Sequence, residues 1–485
     1  MFVRDDIMKE SIQQLDYLFT PRSVAVIGAS NNPSKWSFDT FRCVLKGQEN
    51  FRVYPINKRD KEVFGVKAYE NISQVPEPVD FAVMVIPPQF TPEAMKDCGE
   101  KGVKAVLMIS AGFKEAGVEG AQLQEEVVSI ARQYSIRIVG PNCNGHFDTH
   151  SGLHTLGLAP LKGQIALVSQ SGNFGGHIVS EGREKGIGFS KYVSSGNEAD
   201  VTIEDYIEYL AEDDQTQIIC AYVEGFKDAR RFFKLARETT RKKPIILMKV
   251  GRTEEGAQAA MSHTASLSGS DAVHDAALQQ CGVIRVDKVG DMIDIASALI
   301  RQPIPKGNRV GIVTIGGGFG VVATDACRRL GLEIPNLSDK TIQRLNTLLP
   351  PRWSHGNPVD MTAVSDTSYS CIGALLKDEE IDAVMAIGCM GFVPGIPEGL
   401  PKKLEVKLQE HNKMMMEGEL SLLSGLVERI DKRGKPLIIT AVSKTDDALV
   451  LKELARQGFY TYQTPEAGAQ VLAYLAKYSR YLSQD

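Results

Sequence analysis

The chain has 485 residues, 43% of them hydrophobic and 24% charged, with a formal net charge of −5 and a pI of about 6.0. That composition excludes a disordered or fibrous protein, and the acidic balance argues against nucleic acid as a partner. At about 150 residues per domain the length suits three domains, and no apolar run approaches the ~18 residues that would span a membrane. The amino-terminal stretch from Met1 to Leu15 has no apolar signal core. Eight cysteines are scattered without a CxxC pair, which reads as reduced core thiols of a cytoplasmic protein with no metal centre.

In chain order, short β-rich apolar runs alternate with amphipathic helical stretches. The first set of expected strands is Ser23 to Ile27, Arg52 to Ile56, Phe81 to Ile86, Ala105 to Ile109 and Arg137 to Val139. A second set is Gln164 to Val168, Phe189 to Val193, Gln217 to Val223, Pro244 to Val250 and Val283 to Val286. The third is Arg309 to Ile315, Ala383 to Ile387, Pro436 to Thr440 and Gly458 to Thr461. Continuously apolar strands separated by helices predict parallel sheets covered on both faces. The expected fold is therefore α/β, with three Rossmann- or flavodoxin-like doubly wound domains at residues 1–160, 161–304 and 305–485. The proline-rich run from Pro394 to Pro401 and the Met/Glu/Lys-rich stretch to about Gly418 read as a loop and an exposed helix.

Three turns that follow strands are rich in glycine or small polar residues. Gly28-Ala29-Ser30 opens a helix after the first strand, where exposed amides favour phosphate. GxGxxG is absent, and the second strand ends in Asn57-Lys58-Arg59 where an NAD site would want a carboxylate. Lys58 and Arg59 instead suit a phosphorylated ribose, as in NADP or coenzyme A. Ile86-Pro87-Pro88 and Ser110-Ala111 leave further backbone groups free at neighbouring strand ends. Chemistry alone leaves this a phosphorylated-nucleotide site with its ligand undecided. The other two turns, Ser169-Gln170-Ser171-Gly172-Asn173 and Gly316-Gly317-Gly318-Phe319-Gly320, each offer amides to an anion at the positive end of a helix dipole.

His263 lies in a long loop of small and polar residues after the strand ending at Val250. An imidazole there is placed, as in other α/β enzymes, outside the carboxyl ends of the strands, and it can serve as base, ligand or nucleophile toward phosphorus. Two helix ends plus a loop histidine suit a phosphohistidine. A carboxylate on the other ring nitrogen would orient such an imidazole, and Glu224, closing the strand that ends at Val223, is the candidate. Cys143 in Gly140-Pro-Asn-Cys-Asn-Gly145 is a possible thiol nucleophile, with a structural role favoured.

These motifs, in this order, resemble the nucleoside-diphosphate-forming acyl-CoA synthetases, relatives of succinyl-CoA synthetase. Gly28-Ala-Ser30, Pro55-Ile-Asn-Lys58, Ile86-Pro-Pro88, Ser110-Ala-Gly-Phe113 and Gly140-Pro-Asn-Cys143 resemble the family's CoA-binding domain. Ser169-Gln-Ser-Gly-Asn173, Ser194-Ser-Gly-Asn-Glu198, Glu224-Gly225 and Ser262-His-Thr-Ala265 resemble its ligase domain. Gly316-Gly-Gly-Phe-Gly320 and Asn357-Pro-Val-Asp360 resemble the flavodoxin-like domain that follows.

The resemblance implies CoA contacts at Gly28, Ala29, Ser30, Lys35, Asn57, Lys58, Ile86, Pro87, Ser110, Ala111 and Asn142. It implies phosphate held by Ser171, Gly172, Asn173, Gly317 and Gly318, the acid near Gly196 and Asn197, and phosphoryl transfer through His263 with Glu224 in support. Fused members carry an ATP-grasp domain, and no segment for one follows the third domain here. The expectation is therefore an α-subunit whose ADP or ATP and Mg²⁺ sit on a separate ATP-grasp β-subunit, in an α2β2 assembly. Two other readings stand beside it: a CoA-binding regulatory protein without turnover, and an NADP-dependent dehydrogenase that would leave two of the three domains unexplained.

Overall fold

Alternate residues of the buried strands point into different cores, and this is what builds the molecule into layers. In the computed structural model, which describes residues 11–256, 258, 271–362, 367–391, 396–397, 399–441 and 449–484, Val24 and Val26 enter one apolar cluster while Ala25 and Ile27 enter another. A strand with both faces covered must be apolar throughout, and every residue of Ser23–Ile27, Phe81–Met84 and Ala105–Met108 is buried. The first sheet has the order Arg52–Ile56, Ser23–Ile27, Phe81–Met84, Ala105–Met108, Arg137–Val139, all parallel.

The second sheet orders Ile284–Arg285, Ile245–Lys249, Ile218–Val223, Lys162–Ser169 and Phe189–Ser194 in parallel. Two strands absent from the sequence reading, His146–Asp148 and Leu153–His154, extend its edge in antiparallel fashion. Their register sets Asp148 opposite Lys191, whose buried ammonium is shared by Asp148 at 3.2 Å and Asp213 at 2.8 Å. A small hairpin, Glu62–Val63 with Val66–Lys67, was also missed. Phe64 at φ +53° and Gly65 at φ +76° form its two-residue turn, the positive dihedrals that match the twist of a hairpin.

The chain divides into two units, one ending at Met292 and one beginning at Ile293. The first two sheets belong to the first unit and share one core, in which Leu107 and Val139 pack in the same cluster as Val168, Val193 and Ile219. Arg137, on the last strand of the first sheet, seals this joint. It donates to Asp200 at 2.8 Å and to Asp205 at 2.9 Å, both from the segment that follows Phe189–Ser194. The helix Ile203–Glu212 begins there with a capping box of Thr202 and Asp205.

The second unit carries a third parallel sheet, ordered Val359–Asp360, Val310–Thr314, Ala383–Ile387, Leu437–Thr440, Thr461–Tyr462. The exposed helix expected after Pro401 is present, but it runs from Lys402 to Arg433 and stops at Gly434, whose φ of +62° makes it a left-handed cap. Asn412, Leu423, Leu426 and Ile430 are its buried residues. The fold is thus α/β with mostly parallel sheets, as the sequence predicts. No helix among the described residues is long and apolar enough to cross a membrane.

Candidate active site

In both sheets of the first unit, the first parallel strand lies between the second and third, so successive connections leave it in opposite directions. Such a switch point opens a crevice outside the carboxyl ends of the strands. In the first sheet it falls after Ile27, at Gly28. This residue has φ +94°, and a Cβ there would lie 2.3 Å from the carbonyl oxygen of Val85. Only glycine lets the turn approach the neighbouring strand end so closely. In the second sheet the switch point lies between Ser169 and Val223, where Gln170 and Glu224 emerge.

A single cleft of about 1340 Å³ joins these two places. From the first sheet it is lined by Gly28, Ser30, Lys35, Asn57, Lys58, Ile86, Pro87, Ser110 and Asn142. From the second come Ser171, Gly172, Asn173, Gly196, Asn197 and Glu224. Of the other residues expected here, Ala29 is fully buried beneath the turn and Ala111 is exposed; neither lines the cleft. His263, with the rest of Ser262-His-Thr-Ala265, lies outside the described residues. Gly317 and Gly318 begin the helix Gly317–Arg329 of the second unit. A carboxylate already stands near that helix start, because a Cβ on Gly317 would come 3.1 Å from Asp360 Oδ2.

Several predicted residues act by shaping the site. The Asn57 amide donates to the Ala29 carbonyl at 2.8 Å, while its oxygen accepts the N–H groups of Arg59 and Asp60. That ties the second strand's end to the Gly28 turn. The Ser110 hydroxyl donates to the Ile86 carbonyl at 2.6 Å and ties the third strand to the fourth. Lys35 precedes the helix Trp36–Leu45, which has no side-chain cap of its own, so a cation and unsatisfied amides meet at one end of the cleft. Lys58 is exposed and 4.0 Å from Glu93. A glycine cradle, an uncapped helix start and two lysines fit the phosphates of CoA.

At the other end the helix Gly172–Glu184 starts with Ser171 as its cap, leaving the first-turn amides of Gly172 and Asn173 aimed at the cleft. Glu224 is held by its backbone from two sides. Its N–H donates to Gln170 Oε1 at 2.6 Å, and its carbonyl accepts from the buried Lys249 ammonium at 2.8 Å. Asn197 donates to Glu115 at 2.5 Å and to Gln124 at 3.0 Å. Burial opposes ionisation of Glu115, but the Asn197 amide and the N–H groups of Gly112 and Phe113 outweigh it, so its carboxyl is held below the usual range.

Cys143 lines the cleft, yet its thiol donates to the Met108 carbonyl at 3.2 Å and burial pushes it up to about 12. It stays a neutral, structural thiol, as the sequence reading favoured. Sequence reasoning passed over Gln170, Asn144 and Trp36. Gln170 and Asn144 stand inside motifs that were quoted, but their roles depend on partners in other strands. The described residues hold no cluster of His, Cys, Asp or Glu suited to a metal ion.

The comparisons with known proteins bear on the same two sheets. A CoA-binding-domain model matches residues 22–147, and a model described as the succinyl-CoA-ligase-like flavodoxin domain matches residues 162–299. The sequence reading had attached the flavodoxin-like label to residues 305–485. Fold, cleft and models define the class, acyl-CoA ligases in which a CoA-binding sheet is joined to a succinyl-CoA-ligase-like sheet.

The II-type ADP-forming acetate–CoA ligase α subunit of Pyrococcus furiosus is 40% identical over 471 residues, covering 96% of this chain and 98% of its own. The dinucleotide-forming acetyl-coenzyme A synthetase 1 of Ca. Korarchaeum cryptofilum, solved with phosphate and ADP, superimposes with a TM-score of 0.84 at 33% identity, over 97% of each chain. The chain belongs to the α subunits of the ADP-forming acyl-CoA synthetases, and so to an enzyme family rather than to a regulatory CoA-binding class. A longer relative, the ADP-forming acetate–CoA ligase of Methanocaldococcus jannaschii, is 36% identical over 470 residues that make up 63% of its length.

Proposed function

We propose that this chain binds acyl-CoA and carries phosphate through His263, in the reaction acyl-CoA + phosphate + ADP = acid + CoA + ATP. The observation that carries the reading is the single cleft in which Gly28, Lys35 and Lys58 meet the Ser171–Asn173 helix start and Glu224. The Lys35 and Lys58 end takes the CoA phosphates and the thioester lies toward Gly196 and Asn197. A phosphate oxygen held at Gly172 and Asn173 attacks the thioester carbonyl, the carbon–sulfur bond breaks, and CoA leaves with a proton. The neutral imidazole of His263, oriented by the Glu224 carboxylate, then attacks phosphorus, and the acid departs as its carboxylate. Gly317 and Gly318 offer a second helix start to the transferred group.

The P–N bond is next broken by a terminal oxygen of ADP, held with Mg²⁺ on a separate ATP-grasp β-subunit in a cytoplasmic α2β2 assembly. The acid is a carboxylic acid of the kind that the relatives covering most of this chain carry in their names, acetate first among them. We assign CoA binding to residues 1–160 and the phosphohistidine to residues 161–304, with residues 305–485 forming a third α/β domain.

The test is incubation of the purified chain, with and without its β-subunit, with acyl-CoA and ³²P-phosphate. Wild type should take up acid-labile, base-stable label, and His263→Ala none. Label on the His263→Ala variant, or none on wild type in the complete assembly, overturns the assignment.

A further inference from the structure

Behind the wall of this cleft lies a buried carboxyl group that the reaction above does not use. Glu198 is 4% exposed and its backbone sits at φ +51°, a conformation that persists only where its surroundings impose it. They do so here. Ser195 N–H donates to the Ser169 carbonyl at 2.8 Å, Asn197 N–H to Pro141 at 2.9 Å and Ala199 N–H to Gly140 at 3.0 Å. Gly196 between them has φ +58°, and a Cβ on it would lie 2.2 Å from the Pro141 carbonyl oxygen.

The side chain is equally confined. Glu198 Oε1 accepts the Ser195 hydroxyl at 2.8 Å, and Oε2 is buried with no hydrogen-bond partner in the protein. The Gln170 carboxamide stands beside it. That same carboxamide accepts the N–H groups of Glu224 and Gly225 and donates to the Gly225 carbonyl at 2.8 Å. A continuous chain of contacts, Ser195–Glu198–Gln170–Glu224, therefore connects the turn that lines the acid's end of the cleft to the backbone of the residue whose carboxylate is assigned to the imidazole.

We propose that Glu198 is a positioning residue of this site, holding Gln170 and the Glu224 backbone on one side and the Ser195–Asn197 turn on the other. The inference rests on the assignment of Glu224 and His263 above. Burial raises the Glu198 carboxyl to about 7, the neighbouring Gln170 carboxamide and the Ser195 hydroxyl opposing it, with Glu204 adding to the rise and Lys227 working against it. The groups that face it are Glu204 and Tyr206 from the helix Ile203–Glu212, Lys227 from the segment after Ile218–Val223, and Cys143 next to Tyr206. Burial pushes Tyr206 and Cys143 upward, so both stay neutral near pH 7. Above that pH an ionised Glu198 places a charge beside Glu204 in a dry wall, and phosphoryl transfer should slow.

The test follows the rate of acyl-CoA-dependent labelling of the full chain with its β-subunit from about pH 6 to about pH 9. Wild type should lose rate on a descending limb beginning near 7. Glu198→Gln, a permanently neutral isostere, should flatten that limb, so that the ratio of its rates at the two ends approaches one. Glu198→Ala should lower the rate by about 10–100-fold across the range, the usual cost of removing a supporting residue, with the KM for acyl-CoA unchanged. In parallel, Glu198→Gln should be more heat-stable than wild type above pH 7 and not below pH 4. A Gln variant that keeps the wild-type limb, or an Ala variant whose loss lies wholly in KM, overturns the inference while the parent reading stands. A wild-type assembly that takes no label overturns both.

Discussion

Arg137→Ala is expected to lower the unfolding free energy of the first unit by about 3–5 kcal/mol, the cost of leaving buried charges without their partner. The guanidinium donates to Asp200, to Asp205 and, at 2.7 Å, to the Ser11 carbonyl. Its side chain is 11% exposed, and those of Asp200 and Asp205 are 21% and 9% exposed. Burial alone would lower its pKa, yet the two carboxylates outweigh that and hold it above the ordinary arginine value. Asp205 keeps Arg231 at 2.6 Å after the change, but Asp200 keeps only the Ile138 N–H.

The same deletion loosens the joint between the first two sheets, so CoA affinity should fall along with stability. Arg137→Lys should recover less than half of the loss, because an ammonium cannot reproduce a planar fork that reaches four acceptors on Ser11, Asp200 and Asp205. Denaturant unfolding followed by a probe in the first unit decides the matter. A loss under about 1 kcal/mol would class the cluster with solvated surface pairs and sink the argument.

Gly28→Val is the second large effect, expected to abolish measurable CoA binding. Two penalties add at this position. A β-branched residue at φ +94° is a backbone outlier, with strain on the order of 1–2 kcal/mol. Its Cβ would also collide with the Val85 carbonyl at 2.3 Å and with Ile86 Cγ2 at 2.8 Å, pushing apart the two strand ends that form the floor of the cleft. Gly65→Ala separates the two terms, since Gly65 has φ +76° with nothing within 4 Å of an added Cβ. That variant should cost about 1 kcal/mol of stability and leave CoA affinity intact. Titration calorimetry with CoA reads both, and a Gly28→Val chain that binds CoA like wild type would remove this turn from the site.

Much of the fold was legible because parallel strands covered on both faces must be apolar along their whole length. Phe81-Ala-Val-Met and Ile218-Ile-Cys-Ala-Tyr-Val could be read from composition, and both are strands. His146–Asp148 could not, being three residues with two polar side chains. Its strand character comes from pairing with Phe189–Ser194, which supplies Lys191 to neutralise Asp148. The hairpin around Phe64-Gly65 was missed for a related reason. Its strands are two residues each, and Asn31 holds it by accepting the Phe64 N–H and donating to the Glu62 carbonyl.

The site divides along the same line. By itself the sequence determined where strand ends meet small polar turns, and hence that Gly28, Ser171 and Glu224 stand at carboxyl ends, since this follows from local periodicity and turn chemistry. Tertiary structure decided that these turns from two sheets open into one cleft, that Asn57 and Ser110 brace it from within, and that Cys143 is sealed and unreactive. It also decided that Glu198 lies beside Gln170, which in turn holds the Glu224 backbone, three residues from three separate strand ends. A side chain's burial and its partner are set by which strands become neighbours, and strand order is a property of the whole sheet that no local window of residues contains.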